Sequence, residues 1–232
     1  MKKETCTLFF KLVKALFLGL LIDVFALAAA PFMMGFLPSY RWLGAFITHS
    51  VMALLSLALI YFFSRGAFHR YGFRRDRFVF KPTLLLWVLP MATLSIIGFF
   101  ATSPQGEMRG PFGYSHLESI LFIWIYASVC EEIFTRGFLQ SYLEPLRKYG
   151  FTLLKRWRLS VPVLFSGIFF GLMHIVAIKA MGPPVLVFTT ILGLVAGYYR
   201  EKTGSLWPAI IIHALFNVGG MAPPWILNIF LR

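Results

Sequence analysis

The chain has 232 residues, of which 59% are hydrophobic and 18% aromatic, while only 13% are charged. Soluble domains are close to half apolar and about a quarter charged, so this composition, with a mean hydropathy of +0.76, excludes an ordinary soluble enzyme and points to an integral membrane protein. The net charge of +13 does not argue for nucleic acid as a partner. The basic residues sit in short loops between apolar runs, the pattern by which membrane proteins set their topology.

Lys2 and Lys3 precede a first apolar run at 8–30, with Lys11 and Lys14 at its start. The end of this run, Ala26–Ala30, resembles a signal-peptide cleavage region. Its length and the interruption at Asp23 favour a retained span, and Asp23 suits a functional or a helix-packing role equally. A second span is predicted at 42–63. Arg65, Arg70, Arg74, Arg75, Arg77 and Lys81 then stand against one acid, Asp76. This is the strongest cytoplasmic-loop signal in the chain, and its mixture of arginine and aromatic residues can touch anionic lipid headgroups.

A third span is predicted at 83–101, kinked at Pro90. The loop 102–116 carries Pro104, Gly106, Gly110, Pro111 and Gly113 and should face away from the cytoplasm. A fourth, longer helix is predicted at 117–143, followed by a second basic loop with Arg147, Lys148, Lys155, Arg156 and Arg158. The fifth span, 161–178, ends near His174, and Gly182-Pro183-Pro184 makes a turn. The sixth, at 185–199, gives about 22 Å of helix, short for a bilayer. After the basic turn Arg200-Glu201-Lys202 comes a seventh helix at 206–220. Pro223-Pro224 should break it and leave 225–231 as an interfacial tail.

With the N-terminus in the cytoplasm, the basic loops fall on one side at every crossing. The sequence therefore predicts an all-α fold: a polytopic transmembrane helical bundle of about seven spans. It divides into an N-terminal membrane region, 1–116, and a core, 117–232, that holds a buried polar site. A bacterial inner membrane suits the loops, and a eukaryotic endomembrane gives the same signal. The two cysteines, Cys6 and Cys130, have neither disulfide nor metal-type spacing, and Cys130 reads as a small core residue.

The chain is organised around Cys130-Glu131-Glu132-Ile133-Phe134-Thr135-Arg136-Gly137-Phe138. A charged residue at membrane depth costs about 2.5–3.5 kcal/mol on insertion scales. Arg136 lies four residues after Glu132, so the two share a helix face and can pair. Glu131 lies about 100° around the helix and reads as the carboxylate left free to act. Two further helices carry polar groups: His174, four residues after Phe170, and His213 with Asn217 at the same four-residue spacing. Such polar stripes should face the bundle interior. Glu131 is about 18 Å from the cytoplasmic end of its helix, by rise per residue, and His174 comes out at a similar depth. His49, His69 and His116 have no such company and are read as structural.

A carboxylate and an imidazole can deprotonate a water and later pass the proton to a leaving amine. A second imidazole and a carboxamide can donate to the oxyanion formed on the attacked carbonyl. Glu131, His174, His213 and Asn217 thus supply the parts for hydrolysing an amide bond, with no cofactor required. A divalent metal such as zinc is the alternative, since histidines and a glutamate can bind it. Against it, no His-Glu-x-x-His motif is present.

The order Glu131-Glu132-x-x-x-Arg136, Phe170-x-x-x-His174, His213-x-x-x-Asn217, each on its own membrane helix, resembles the CPBP family. These are the CAAX-protease and bacteriocin-processing intramembrane endopeptidases, related to the type II CAAX prenyl endopeptidases. Ser205-Leu206-Trp207-Pro208-Ala209 also looks like the family, and the resemblance covers about 117–220. It implies that Glu131 activates water with help from His174, that His213 and Asn217 hold the oxyanion, and that Glu132 and Arg136 shape the site. It also implies a membrane protein or peptide as substrate, lipidated or carrying a C-terminal sorting tail.

The expected function is therefore an intramembrane endopeptidase. One rival is a non-enzymatic membrane protein, an immunity factor or scaffold, which would tolerate Glu131→Gln. Another is a proton-coupled transporter, disfavoured because the polar groups are confined to the C-terminal half.

Overall fold

The computed structural model describes residues 2–36, 40, 42–74, 81–102, 114–153, 155, 157–178 and 183–230. Arg75, Asp76, Arg77, Arg156, most of the loop 102–116 and Gly182, all used in the topology expectation, lie outside the described residues.

Seven helices form among the described residues. They are α1 (Lys2–Met34), α2 (Leu43–Ser64), α3 (Leu89–Thr102), α4 (116–140), α5 (Val161–Met173), α6 (Pro184–Thr203) and α7 (Trp207–Phe230). Their ends carry local stop and start chemistry. α4 begins with a capping box, in which the Ser115 amide donates to Glu118 and the Glu118 amide donates back to the Ser115 hydroxyl. Ser160 caps α5 ahead of Pro162, and α6 closes on Gly204 at φ 71°. A 3₁₀ segment, Pro82–Val88, leads into α3, so Pro90 sits in the first turn of the α-helical part, where a missing N–H costs little. Another 3₁₀ turn, His174–Ala177, extends α5.

Among the described residues, three helical stretches are long and apolar enough to cross a membrane: Leu8–Met34, Leu43–Ser64 and Trp207–Leu227. Pro82–Ile97 and Val161–Ala177 are shorter apolar helices. Phe9, Phe17, Val24, Leu54, Phe62 and Ile229 point outward, on faces that hydrocarbon rather than water solvates. The chain is a membrane protein with an all-α bundle.

Three expectations are corrected. The paired prolines do not break the last helix: α7 runs through Pro223 and Pro224 to Phe230. Trp225, just past them, stacks on Trp124 of α4 at 5.4 Å and lies 4.3 Å from the ring of His116, and this packing outweighs the local cost of proline. α6 is longer than predicted because Arg200-Glu201-Lys202 continues the helix to its glycine stop, giving about 30 Å of rise. The second basic loop is not irregular. It folds as an antiparallel hairpin of β1 (Gly150–Leu153) and β2 (Trp157–Ser160), pairing Gly150 with Ser160 and Leu153 with Trp157.

α4 is the axis of the bundle. On one side Ile22 and Ala26 of α1 and Met52 and Ile60 of α2 pack with Phe134, Phe138 and Leu139 of α4 and Phe169 of α5. On the other, Leu84, Phe170, Leu192, Ile212 and Phe216 join the segment before α3 to α5, α6 and α7. α5 and α6 approach closely through glycine: a Cβ on Gly193 would lie 2.7 Å from the Gly167 carbonyl, a small-residue contact typical of membrane helices.

Candidate active site

The central turn of α4, Ser128–Glu132, has α-helical hydrogen bonding between π-type stretches at Ser119–Ala127 and Ile133–Gln140. Such widened windings are uncommon and concentrate at functional positions. Both adjacent glutamates are buried, and each has its own partners.

Glu132 pairs with Arg136 across one turn, Oε1 to Nη1 at 3.0 Å, with both side chains fully buried. This is the ion pair expected from the four-residue spacing. Arg136 also donates through Nη1 to Thr135 Oγ1 at 2.5 Å and through Nη2 to the Gly193 carbonyl at 2.9 Å, and its guanidinium lies 4.5 Å from the Phe170 ring centroid. The acceptor on Gly193 ties α4 to α6 at the position where glycine lets α5 and α6 meet.

The other two motifs converge on this turn. His213 Nδ1 lies 2.9 Å from Glu132 Oε1, and its Nε2 lies 3.9 Å from Glu131 Oε2. Glu132, ionised beside Arg136, accepts the Nδ1 proton. His174 donates from Nδ1 to the Phe170 carbonyl at 2.8 Å, which turns Nε2 toward Glu131 Oε2 at 3.8 Å. Phe170 packs against both rings, at 4.7 Å from His174 and 5.3 Å from His213. Asn217 donates from Nδ2 to the Ile123 carbonyl at 3.3 Å and to Ser128 Oγ at 3.2 Å. Its carboxamide is thus held against α4 one turn before Glu131. The polar groups of α4, α5 and α7 lie at one depth in the bundle.

Glu131 is not free, and His49 is not a bystander, which corrects two readings of the sequence. His49 Nε2 lies 3.0 Å from Glu131 Oε1, and His49 Nδ1 lies 2.6 Å from the Ala45 carbonyl. The other oxygen, Oε2, is buried with no hydrogen-bond partner among the described residues. A depth estimate carries the missed signal: His49 is about 22 Å from the end of α2 by rise per residue, close to the depth estimated for Glu131. α2 is fastened beside α4 by a Ser50–Tyr126 hydroxyl contact of 2.7 Å and by stacking of Trp42 on Phe122 and Phe46 on Tyr126. Asp23, half-buried on α1, is close enough to Glu131 to interact electrostatically. Cys130 is buried and free.

Among the described residues, no group of three or more His, Cys, Asp and Glu is arranged to hold a metal ion. His213 Nδ1 and His49 Nε2 already engage carboxylates, and His174 Nδ1 a carbonyl.

Residues 114–219 match a family model described as Rce1-like, type II CAAX prenyl endopeptidase. The match contains Glu131, Glu132, Arg136, His174, His213 and Asn217 and leaves out His49. No curated protein matches the chain. Residues 114–219, a little under half of the chain, are thus similar to the Rce1-like type II CAAX prenyl endopeptidases.

Proposed function

We propose that the chain is an intramembrane endopeptidase that hydrolyses a peptide bond of a membrane-associated protein or peptide, with water activated by Glu131 and His174. The observation that carries this reading is the space around Glu131 Oε2. The oxygen is buried without a partner, and the Nε2 atoms of His174 and His213 face it at 3.8 and 3.9 Å. These separations are too long for direct hydrogen bonds, and a polar separation of this kind is one that water bridges.

In this reading Glu131 Oε2 takes a proton as the water oxygen attacks the scissile carbonyl carbon. The carbonyl π electrons move onto its oxygen. With a hydrogen on Nε2, His213 donates to that oxyanion, and the Asn217 amide adds a second donor by exchanging its Ser128 contact for the oxyanion. The C–N bond then breaks, and the proton held at Glu131 passes to the leaving amine, directly or through His174 Nε2. The sum is addition of one water across one amide bond. Glu132 and Arg136 hold His213 and the α4–α6 contact in place.

A divalent metal fits these residues poorly. Zinc needs three protein ligands about 2 Å from a common point, and among the described residues no group of three or more His, Cys, Asp and Glu is arranged to hold one. The mechanism therefore runs through the chain's own groups, with no cofactor. The basic ends of the bundle support a cytoplasmic N-terminus, in a bacterial inner membrane and a eukaryotic endomembrane alike. Gly72 and Arg74 accept from Leu206 and Ser205, and Arg147 contacts Glu201, so the basic ends of α2, α4 and α6 gather at one face.

The test is hydrolysis by the purified chain in lipid vesicles of a peptide ending in a CAAX sequence, prenylated or unprenylated. The wild type should release the C-terminal residues and Glu131→Gln should not. Equal rates for the two proteins would overturn the reading.

A further inference from the structure

We propose that His49, on α2 and outside the family-matched residues, is a positioning residue that holds Glu131 as a carboxylate and aims its free oxygen at the water. The inference rests on the endopeptidase reading above for its catalytic consequence, and on geometry alone for its electrostatic part.

The proton count follows from the hydrogen bonds. The Ala45 carbonyl can only accept, so the 2.6 Å contact places a hydrogen on His49 Nδ1. The 3.0 Å contact between His49 Nε2 and Glu131 Oε1 then contains one proton. Either an imidazolium donates to a carboxylate, or a carboxylic acid donates to a neutral ring. The surrounding charges decide between them. Glu131 is faced by Asp23 from α1, His49 from α2, Arg136 and Glu132 from its own helix, His174 from the end of α5 and His213 from α7. Arg136 and His213 both direct their hydrogens at Glu132 Oε1, at 3.0 and 2.9 Å. Among the described residues, that leaves His49 as the one group within hydrogen-bond distance of Glu131 to offer it a compensating positive charge. A buried carboxylate without such a partner neutralises itself by taking a proton, and a protonated Glu131 cannot accept one from water. Holding Oε1 in the His49 contact also fixes the rotation of the carboxyl group, which turns Oε2 toward His174 and His213.

Infrared difference spectra of the purified full chain in lipid at neutral pH test the electrostatic part without any substrate. The wild type minus Glu131→Gln spectrum should carry the carboxylate band of Glu131. The same difference taken in a His49→Gln background should carry instead the carbonyl band of a protonated acid. Glutamine keeps a donor within reach but brings no charge. A protonated Glu131 in the wild type, or a carboxylate in both backgrounds, overturns the proposal. A protonated Glu131 in the wild type overturns it even where His49→Gln misfolds.

On the peptide cleavage assay, His49→Gln should lose about a hundredfold in kcat with KM within about twofold of the wild type. Added imidazole should restore part of the rate to His49→Ala. A packing role predicts a loss that imidazole does not relieve, and that outcome also overturns the proposal. Absence of cleavage by the wild type would sink the endopeptidase reading, while the spectra would still decide the role of His49.

Discussion

Arg136→Leu isolates the physics that holds the site together. Arg136 is fully buried and its guanidinium has three acceptors: Glu132, Thr135 and the Gly193 carbonyl. Its removal strands the Glu132 charge, at a cost of about 3–5 kcal/mol for a buried ion losing its partner. The Gly193 carbonyl, inside α6, keeps its intrahelical donor, so losing Arg136 there adds little. His213 Nδ1 stays on Glu132 Oε1 and relieves part of the Glu132 cost, so about 3 kcal/mol is expected. That is a large share of the roughly 5–15 kcal/mol that stabilises a folded domain. Glu132→Leu should cost a similar amount by stranding Arg136. The double variant removes both charges and keeps apolar volume, a change that is often neutral in itself. It should therefore lie well below the sum of the singles, by about 3 kcal/mol. Chemical or thermal unfolding of the purified proteins in bicelles, followed by circular dichroism, measures all four corners of the cycle. Losses that add to within about 0.5 kcal/mol would refute the pairing as the source of stability.

Three further outcomes follow from named contacts. Gly193→Ala places a Cβ 2.7 Å from the Gly167 carbonyl and 3.0 Å from Arg136 Nη2, and should lower unfolding stability by about 1–3 kcal/mol while disturbing the Arg136 contact. Asn217→Ala should lower kcat by about a hundredfold with KM little changed, as loss of one oxyanion donor does; an unchanged kcat would remove Asn217 from the oxyanion role. Dialysis against a chelator should leave the cleavage rate intact, and loss of activity restored by zinc would reverse the metal-independent reading.

Much of the bundle was legible because helix periodicity and loop charge are local signals. The four-residue spacing alone placed Arg136 on Glu132, and the three polar stripes marked the helices that meet. What was hidden depended on tertiary contacts. Nothing local to Pro223-Pro224 records that Trp225 will stack on Trp124 and carry the helix onward. The hairpin was obscured by Lys155 and Arg158, whose charges read as loop while Phe151, Leu153, Trp157 and Leu159 alternate as strand residues. His49 was missed for the same reason. Its partner is 82 residues away, and one histidine in an apolar run has no spacing to interpret. Only its depth, compared across helices, pointed to Glu131.

The most direct test of the central claim compares protein termini in membranes of the native host carrying wild-type chain with membranes carrying Glu131→Gln. If Glu131 activates water for peptide hydrolysis, C-termini present with the wild type will be missing with the variant, and the sequences upstream of them will name the substrate. Identical termini, with the variant folded and present at the wild-type level, would contradict the account and leave Glu131, His174, His213 and Asn217 as a structural polar core.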